Sequence, residues 1–277
     1  MLAGEPASRT AVLSTGLRLQ YAEGGTSDRP PVVLVPGMGD SWHSFWPVLE
    51  RLQPHVHWFA VSPRGHGGSE HPSTGFTVDD YAADLVALLD VLQIRRAVLV
   101  GHSSSTFPER QLAASLPARV AGLVLVGAPL TLSGSSEAIR FADTVLTGLE
   151  DPLPDEFFEQ LEDMTVGGQV PDALATVLVR ENRLVPARVW QQTFAGLLAH
   201  DGVAGLDRVS CPVLLVWGDA DALVGLAEQR SLCALLPHAT LSVVPGAGHS
   251  PHWQQPALVA AQLETFLDAL PDGPRCR

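Results

Sequence analysis

The sequence predicts an α/β fold: a doubly wound, mostly parallel eight-stranded sheet flanked by helices, with a helical cap inserted after strand 6. Three features predict it. Six short apolar runs, PPVVLVPG, WFAVSPRG, RRAVLVGHS, AGLVLVGAP, CPVLLVWGD and ATLSVVPG, are rich in β-branched residues and bounded by Gly or Pro. Runs of this kind read as strands buried on both faces. The spacers between most of them suit crossover helices, which makes the joined strands parallel. One interval, from GLVLVGAP to CPVLLVWG, instead holds about eighty residues with no strand pattern.

In chain order, TAVLSTG and LRLQYAEG come first and read as an antiparallel hairpin at the sheet edge, giving strands 1 and 2. PPVVLVPG and WFAVSPRG follow as strands 3 and 4, then the helical YAADLVALLDV and strand 5 in RRAVLVGHS. A helical segment ending in LAASLPARV leads to strand 6 in AGLVLVGAP. In the long interval, FADTVLTGL, PDEFFEQLEDM, PDALATVLVREN and PARVWQQTFAGLLAH place apolar residues at helical spacing, with Pro or Asp at several starts. Residues 1–130 and 206–277 are therefore assigned to the core and 131–205 to the cap. CPVLLVWGD and ATLSVVPG complete the sheet.

At 277 residues, with 46% hydrophobic and 17% charged residues, the chain can bury a sizeable core and is neither disordered nor membrane-embedded. The N-terminal MLAGEPASRT has no basic segment ahead of an apolar run, and no apolar stretch of about twenty residues occurs. A cytoplasmic location is expected, with no membrane partner. The net charge of −13 has no basic stripe to offset it, so nucleic acid is excluded as a partner. All seventeen basic residues are arginine, which excludes Schiff-base lysine chemistry and a P-loop. Cys211, Cys233 and Cys276 are widely spaced and read as reduced thiols. His55 and His57 alternate, but no carboxylate or cysteine lies near them in sequence to complete a metal set, and no metal site is expected.

Ligands of open parallel sheets bind beyond the carboxyl ends of the strands. There the sequence places Gly101-His102-Ser103-Ser104-Ser105 after strand 5, Asp219-Ala220-Asp221 after strand 7 and His249 after strand 8. A nucleophile in a sharp strand-to-helix turn needs small residues two before and two after it, and Gly101 and Ser105 are small. Ser103 is thus the candidate nucleophile and His249 the candidate base, with His252 as a rival. Spacing alone does not separate Asp219 from Asp221 as the acid.

Together these motifs resemble the α/β-hydrolase superfamily over nearly the whole chain. VVLVPGMGDSWHSFWPVLERL is similar to its oxyanion strand and loop, SPRGHGGSE to its fourth-strand loop, and VLVGHSSS to its nucleophile elbow. VLLVWGDADALV resembles its acid segment and VVPGAGHSPHWQQP its histidine loop. The resemblance implies Asp221 as the acid, through a Gly-x-x-Asp pattern starting at Gly218. It also implies an oxyanion hole from the backbone N–H groups of Met38 and Ser104. Pro36 stands where these proteins usually carry His, Ser62 where many carry Asp, and Ser105 where Gly is common. Pro108 removes one N–H near the start of the next helix, which is expected to begin irregularly.

His102, Arg64 and His66 are expected to brace loops. Trp42, Phe107, Arg188, Trp190 and Trp253 are candidates to line the substrate cavity. Phe141, Phe157, Phe158 and Trp190 give the cap an apolar face, suited to a substrate with a hydrophobic portion or to the cap's own core.

The expected reaction is cleavage of a small carboxylic ester or lactone through an acyl-enzyme, with no cofactor, by a monomer or homodimer. The alternatives are a carbon–carbon bond hydrolase acting on a diketone, a cofactor-free haloperoxidase or perhydrolase, and a non-catalytic small-molecule receptor. A serine at position 103 excludes the relatives that use a carboxylate nucleophile.

Overall fold

The computed structural model describes residues 4–26, 29–165 and 170–271. Strands β1 (Arg9–Val12), β2 (Arg18–Gly24), β3 (Val32–Val35), β4 (Trp58–Val61), β5 (Ala97–His102), β6 (Val120–Val126), β7 (Val213–Gly218) and β8 (Ala239–Val244) form one sheet. Its order is β1-β2-β4-β3-β5-β6-β7-β8. β2 pairs antiparallel with β1 and β4, and all other neighbours are parallel. The expected edge hairpin and the six apolar runs all appear in their expected places.

The helices are α1 (Trp46–Leu49), α2 (Val78–Val91), α3 (Thr106–Ser115), α4 (Ser136–Phe141), α5 (Asp155–Thr165), α6 (Asp172–Asn182), α7 (Ala187–Ala199), α8 (Leu226–Leu235), α9 (Pro251–Gln254) and α10 (Pro256–Ala269). Among the described residues no helix is long and apolar enough to cross a membrane.

The continuous apolar strands follow from cover on both sides. Successive strand residues point to opposite faces. Val33, Leu99, Leu123 and Leu215 therefore meet Leu88, Leu112 and Leu232 of α2, α3 and α8 on one face. Val32, Val98, Val124 and Val216 meet Trp42, Phe45, Val259 and Leu263 on the other. Each such burial contributes about 2 kcal/mol, and an alternating polar pattern would forfeit half of it.

α2 starts where Thr77 and Asp80 close a reciprocal cap: the Asp80 N–H donates to Thr77 Oγ1 at 3.2 Å and the Thr77 N–H to Asp80 Oδ2 at 2.9 Å. The Arg64 guanidinium then binds both oxygens of Asp84 on α2, each at 2.6 Å, and fixes the loop after β4. Arg64 is thus a loop brace, as expected.

Helices α4 to α7 all fall between β6 and β7. The helix expected in FADTVLTGL starts earlier, at Ser136, because the Ser135 hydroxyl caps the Ala138 N–H at 3.2 Å. It then loosens into a π-type turn over Ala142–Leu146. Phe141 packs edge-on against Phe194, and Phe157 against both Phe158 and Trp190. These aromatics build the core of the inserted helices, shared with Phe76 and Val78 at the foot of α2. The segment leaves and rejoins the sheet at one place, since a side chain added to Gly202 would come within 2.2 Å of the Leu130 carbonyl oxygen.

Cys211 is buried and Cys233 partly buried, and both are free thiols; Cys276 lies outside the described residues. Burial pushes the Cys211 thiol up to about 11. Among the described residues no cluster of three or more His, Cys, Asp or Glu side chains could hold a metal, and His57 is engaged by Glu23 at 3.0 Å.

Candidate active site

At the carboxyl end of β5 the chain turns at Ser103 with φ of 50°, a left-handed conformation for a non-glycine residue. Such a conformation costs roughly 1–3 kcal/mol and persists only where surrounding contacts enforce it. Those contacts are present. The Ser105 hydroxyl donates to the Pro36 carbonyl at the start of the loop after β3, and the Thr106 hydroxyl donates to the Ser103 carbonyl at 2.6 Å. The serine in place of the usual glycine thus ties the elbow to the neighbouring loop.

The following helix does begin irregularly. Ser103–Ser105 form a 3-10 turn before α3, and Pro108 falls in the first turn of α3, where no intrahelical partner for an N–H exists. Gly101 has no room for a side chain: a Cβ there would lie 2.4 Å from Glu109 Oε2. Glu109 is fully buried and, among the described residues, neither of its oxygens has a hydrogen-bond partner, so burial holds its carboxyl well above the usual range and in the neutral form.

His249 lies five residues beyond β8 and brings its ring back over the elbow. Its Nε2 is 2.9 Å from Ser103 Oγ, and its Nδ1 is 2.9 Å from Asp221 Oδ2. The other Asp221 oxygen accepts the N–H groups of Leu223 and Val224 at 2.8 and 3.0 Å, so the carboxylate is held from both ends. Trp217 Nε1 closes that turn by donating to the Val224 carbonyl at 2.7 Å. Asp219 instead accepts from the Gly246 N–H and points along the adjacent turn.

His102 Nε2 donates to the His249 carbonyl at 3.2 Å, bracing the base loop from beneath. The rival His252 is buried on α9, with Nε2 at 3.1 Å from Ser44 Oγ. Burial depresses it to about 3, aided by the nearby His249, so it is neutral and turned away from Ser103.

Chemically, this arrangement gives a serine hydroxyl a hydrogen-bonded imidazole whose tautomer is fixed by a carboxylate, the relation that activates a nucleophile. Beside it lies a void of about 20 Å³ bordered by both Met38 and Ser104. Its remaining walls include Phe76, Val78, Tyr81, Pro108, Thr193 and Leu197, with His66 at one side. Tyr81 and Thr193 satisfy each other at 2.8 Å, and burial pushes the Tyr81 phenol up. His66 Nδ1 donates to the Arg64 carbonyl at 2.8 Å, and burial lowers the ring to about 4, leaving it neutral.

None of the five residues expected to line a substrate cavity borders this void, and each has packing or hydrogen-bond partners elsewhere. Trp42, 2% exposed, stacks on His43 at 4.1 Å within the core. Phe107 is fully buried beneath the Arg110 guanidinium, 4.5 Å from its ring centre. Arg188 donates to the carbonyls of Pro72 and His71 at 2.6 and 3.0 Å. Trp190 packs into the aromatic core of the inserted helices against Phe157. Trp253 donates to Ser44 Oγ at 2.9 Å and packs against Leu174 and Leu178.

Large aromatics and arginine at helix junctions find packing and carbonyl partners there, while Val78 and Tyr81 of α2 and Thr193 and Leu197 of α7 form the wall. Thr193 and Leu197, four apart on α7, are the signal that could have pointed to that wall. A larger cavity of about 1140 Å³ lies at the opposite, amino-terminal edge of the strands, bordered by Val32, Val98 and Ala121.

A model of the alpha/beta hydrolase family matches residues 32–262, and the chain belongs to that family; it is a hydrolase. A non-heme chloroperoxidase of Streptomyces lividans is 30% identical over 93% of this chain and 99% of its own. The 2-(acetamidomethylene)succinate hydrolase of Mesorhizobium japonicum is 28% identical over 87% of this chain and 88% of its own. Among solved structures, the enol-lactonase from Burkholderia xenovorans superposes with a TM-score of 0.81 at 21% identity, over 94% of this chain and all of that one. At that identity the likeness concerns the fold.

Proposed function

We propose that the protein is a serine hydrolase that cleaves a small carboxylic ester or lactone through an acyl-enzyme. The observation that carries this reading is the pair of 2.9 Å contacts joining Ser103 Oγ, His249 and Asp221 in one line. Ser103 Oγ attacks the carbonyl carbon while His249 Nε2 takes its proton. Asp221 keeps the remaining imidazole proton on Nδ1 and stabilises the imidazolium without accepting the proton.

The developing oxyanion lies against the N–H groups of Met38 and Ser104, each such donor contributing about 3 kcal/mol in the transition state. The imidazolium returns its proton to the departing alkoxide. Water, activated by the same imidazole, then frees the acid. No metal or organic cofactor takes part in these steps, and the substrate is a free small molecule.

The void beside Met38 and Ser104 is about 20 Å³, room for little more than one water, so an acyl chain on that side requires the apolar wall to move. In this reading the inserted helices act as a cap whose α7 residues Thr193 and Leu197 limit acyl length. The likeness to the chloroperoxidase of Streptomyces lividans supports one variation: hydrogen peroxide in place of water would release the acyl group as a peracid. Carbon–carbon bond hydrolysis is less well supported, because the Arg188 that would bind an acidic tail is held by two carbonyls.

The test is intact-mass analysis after treatment with a fluorophosphonate. A single adduct mapping to Ser103, together with turnover of p-nitrophenyl acetate, is expected. Absence of both would remove the serine mechanism and leave a receptor on the same fold.

A further inference from the structure

Met38, assigned above as an oxyanion donor, lies in a tight turn in which the Asp40 N–H donates to the Gly37 carbonyl at 3.2 Å. The third residue of that turn, Gly39, has φ of 94°, as a type II turn requires. Two groups from the inserted helices grip this residue. A Cβ on Gly39 would lie 2.2 Å from Trp190 Cη2, so the indole rests directly on the backbone. From the end of α6, Asn182 Nδ2 donates to the Gly39 carbonyl at 3.0 Å and to Asp40 Oδ1 at 3.1 Å.

The other Asp40 oxygen accepts from Ser44 Oγ at 3.2 Å, and Ser44 in turn is bonded to His252 and Trp253. Those two residues sit three and four positions after His249. One buried carboxyl, 5% exposed, therefore joins the oxyanion turn, the inserted helices and the segment carrying the base. No step of the mechanism above uses it.

We propose that Asp40 and Asn182 are a positioning pair that sets the oxyanion turn from the inserted helices, so that docking of α6 and oxyanion stabilisation are coupled. The proposal rests on the serine-hydrolase reading. Neither side chain touches the reacting atoms. Their effect passes through the Gly39 peptide to the neighbouring Met38 peptide, where a misdirected donor loses transition-state binding and leaves ground-state binding intact.

The experiment compares wild type, Asn182→Ala, Asp40→Asn and the double variant on p-nitrophenyl acetate, with a trifluoromethyl ketone as a probe of the tetrahedral adduct. Each single variant is expected to lower kcat and weaken the ketone by roughly tenfold at unchanged KM. The double variant should lose no more than the worse single one, since the two act as a unit. Fluorophosphonate labelling and thermal melting of all four report whether they are folded and competent. Label on all forms with kcat and ketone affinity unchanged, or with KM alone raised, would overturn the pair and leave the hydrolase reading intact. A folded wild type that takes no label would remove both.

Discussion

The sheet and the inserted helices solve the same problem, burying apolar side chains, by different means. In the sheet, burial is imposed by periodicity: β3, β5, β6 and β7 are buried at every position. Their polar residues are pushed to the strand ends, where Ser103, Asp221 and His249 meet. In the inserted helices burial is a matter of which aromatic interlocks with which, as in the Phe157–Trp190 and Phe141–Phe194 contacts. Polar residues there, such as Asn182 and Arg188, reach across to the core as ties. The sheet thus fixes the chemistry and the inserted helices adjust its surroundings.

Four experiments would break or sharpen that contrast. The largest effect is expected from the strand ends. Ser103→Ala should lower kcat/KM by about four to six orders of magnitude with an unchanged melting temperature, measured by ester hydrolysis and calorimetry. A loss under tenfold would mean that the meeting of the strand ends is not where the chemistry occurs.

Next comes Asp40, whose carboxyl is raised by burial, and further by Glu181, to about 7, against the lowering effect of its bonds to Asn182 and Ser44. A native-state value above the unfolded one means that the folded protein holds the proton more tightly. The stabilisation this represents is complete below about pH 4 and is lost as the pH rises through 7. Asp40→Asn removes that dependence. Relative to wild type it should gain up to about 4 kcal/mol in denaturant stability between pH 4 and pH 8.

His66 and His252 work in the opposite direction, since burial depresses both and their contribution is lost as the pH falls below 6.5. They are common to both proteins, so the difference between the two pH curves isolates Asp40. Parallel curves would refute the assignment.

Within the sheet, Leu123→Ala, at a position with no exposure, should cost about 3 kcal/mol by urea titration and leave the acyl-length profile alone. On α7, Leu197→Ala should change that profile. It is expected to improve kcat/KM for butyrate over acetate esters by up to about fifteenfold, about 0.8 kcal/mol for each of the two extra methylenes accommodated. An unchanged profile would remove α7 from the acyl wall.

The same contrast explains what could be read from the chain beforehand. Strand runs, the edge hairpin and the order of Ser103, Asp221 and His249 are all governed by local patterns, because period-two burial and a strand-to-helix turn leave marks within a few residues. The choice of Asp221 over Asp219 rests on resemblance. Its physical basis, the Leu223 and Val224 donors on one side and His249 on the other, is a matter of turn geometry that spacing does not encode.

The surroundings of the elbow are less legible for a related reason. Trp42, Phe107, Arg188, Trp190 and Trp253 stand out by residue type, whereas the void beside the elbow is decided by how α2 and α7 pack on it. The cap for α4 at Ser135 is a local signal, whereas the apolar spacing is clearest only from Phe141 onward.

The contact between Gly202 and the Leu130 carbonyl has an evolutionary corollary. A segment whose two ends meet can be exchanged between relatives as a single cassette, with one scar in the scaffold and no disturbance of strand order. Such an exchange is not free of conditions: an incoming cassette that brings no amide donor to match Asn182 would seat itself on the scaffold yet leave the Gly39 carbonyl without that partner. Diversification by this route would favour donors whose last turn before the third inserted helix's exit carries the same short polar side chain.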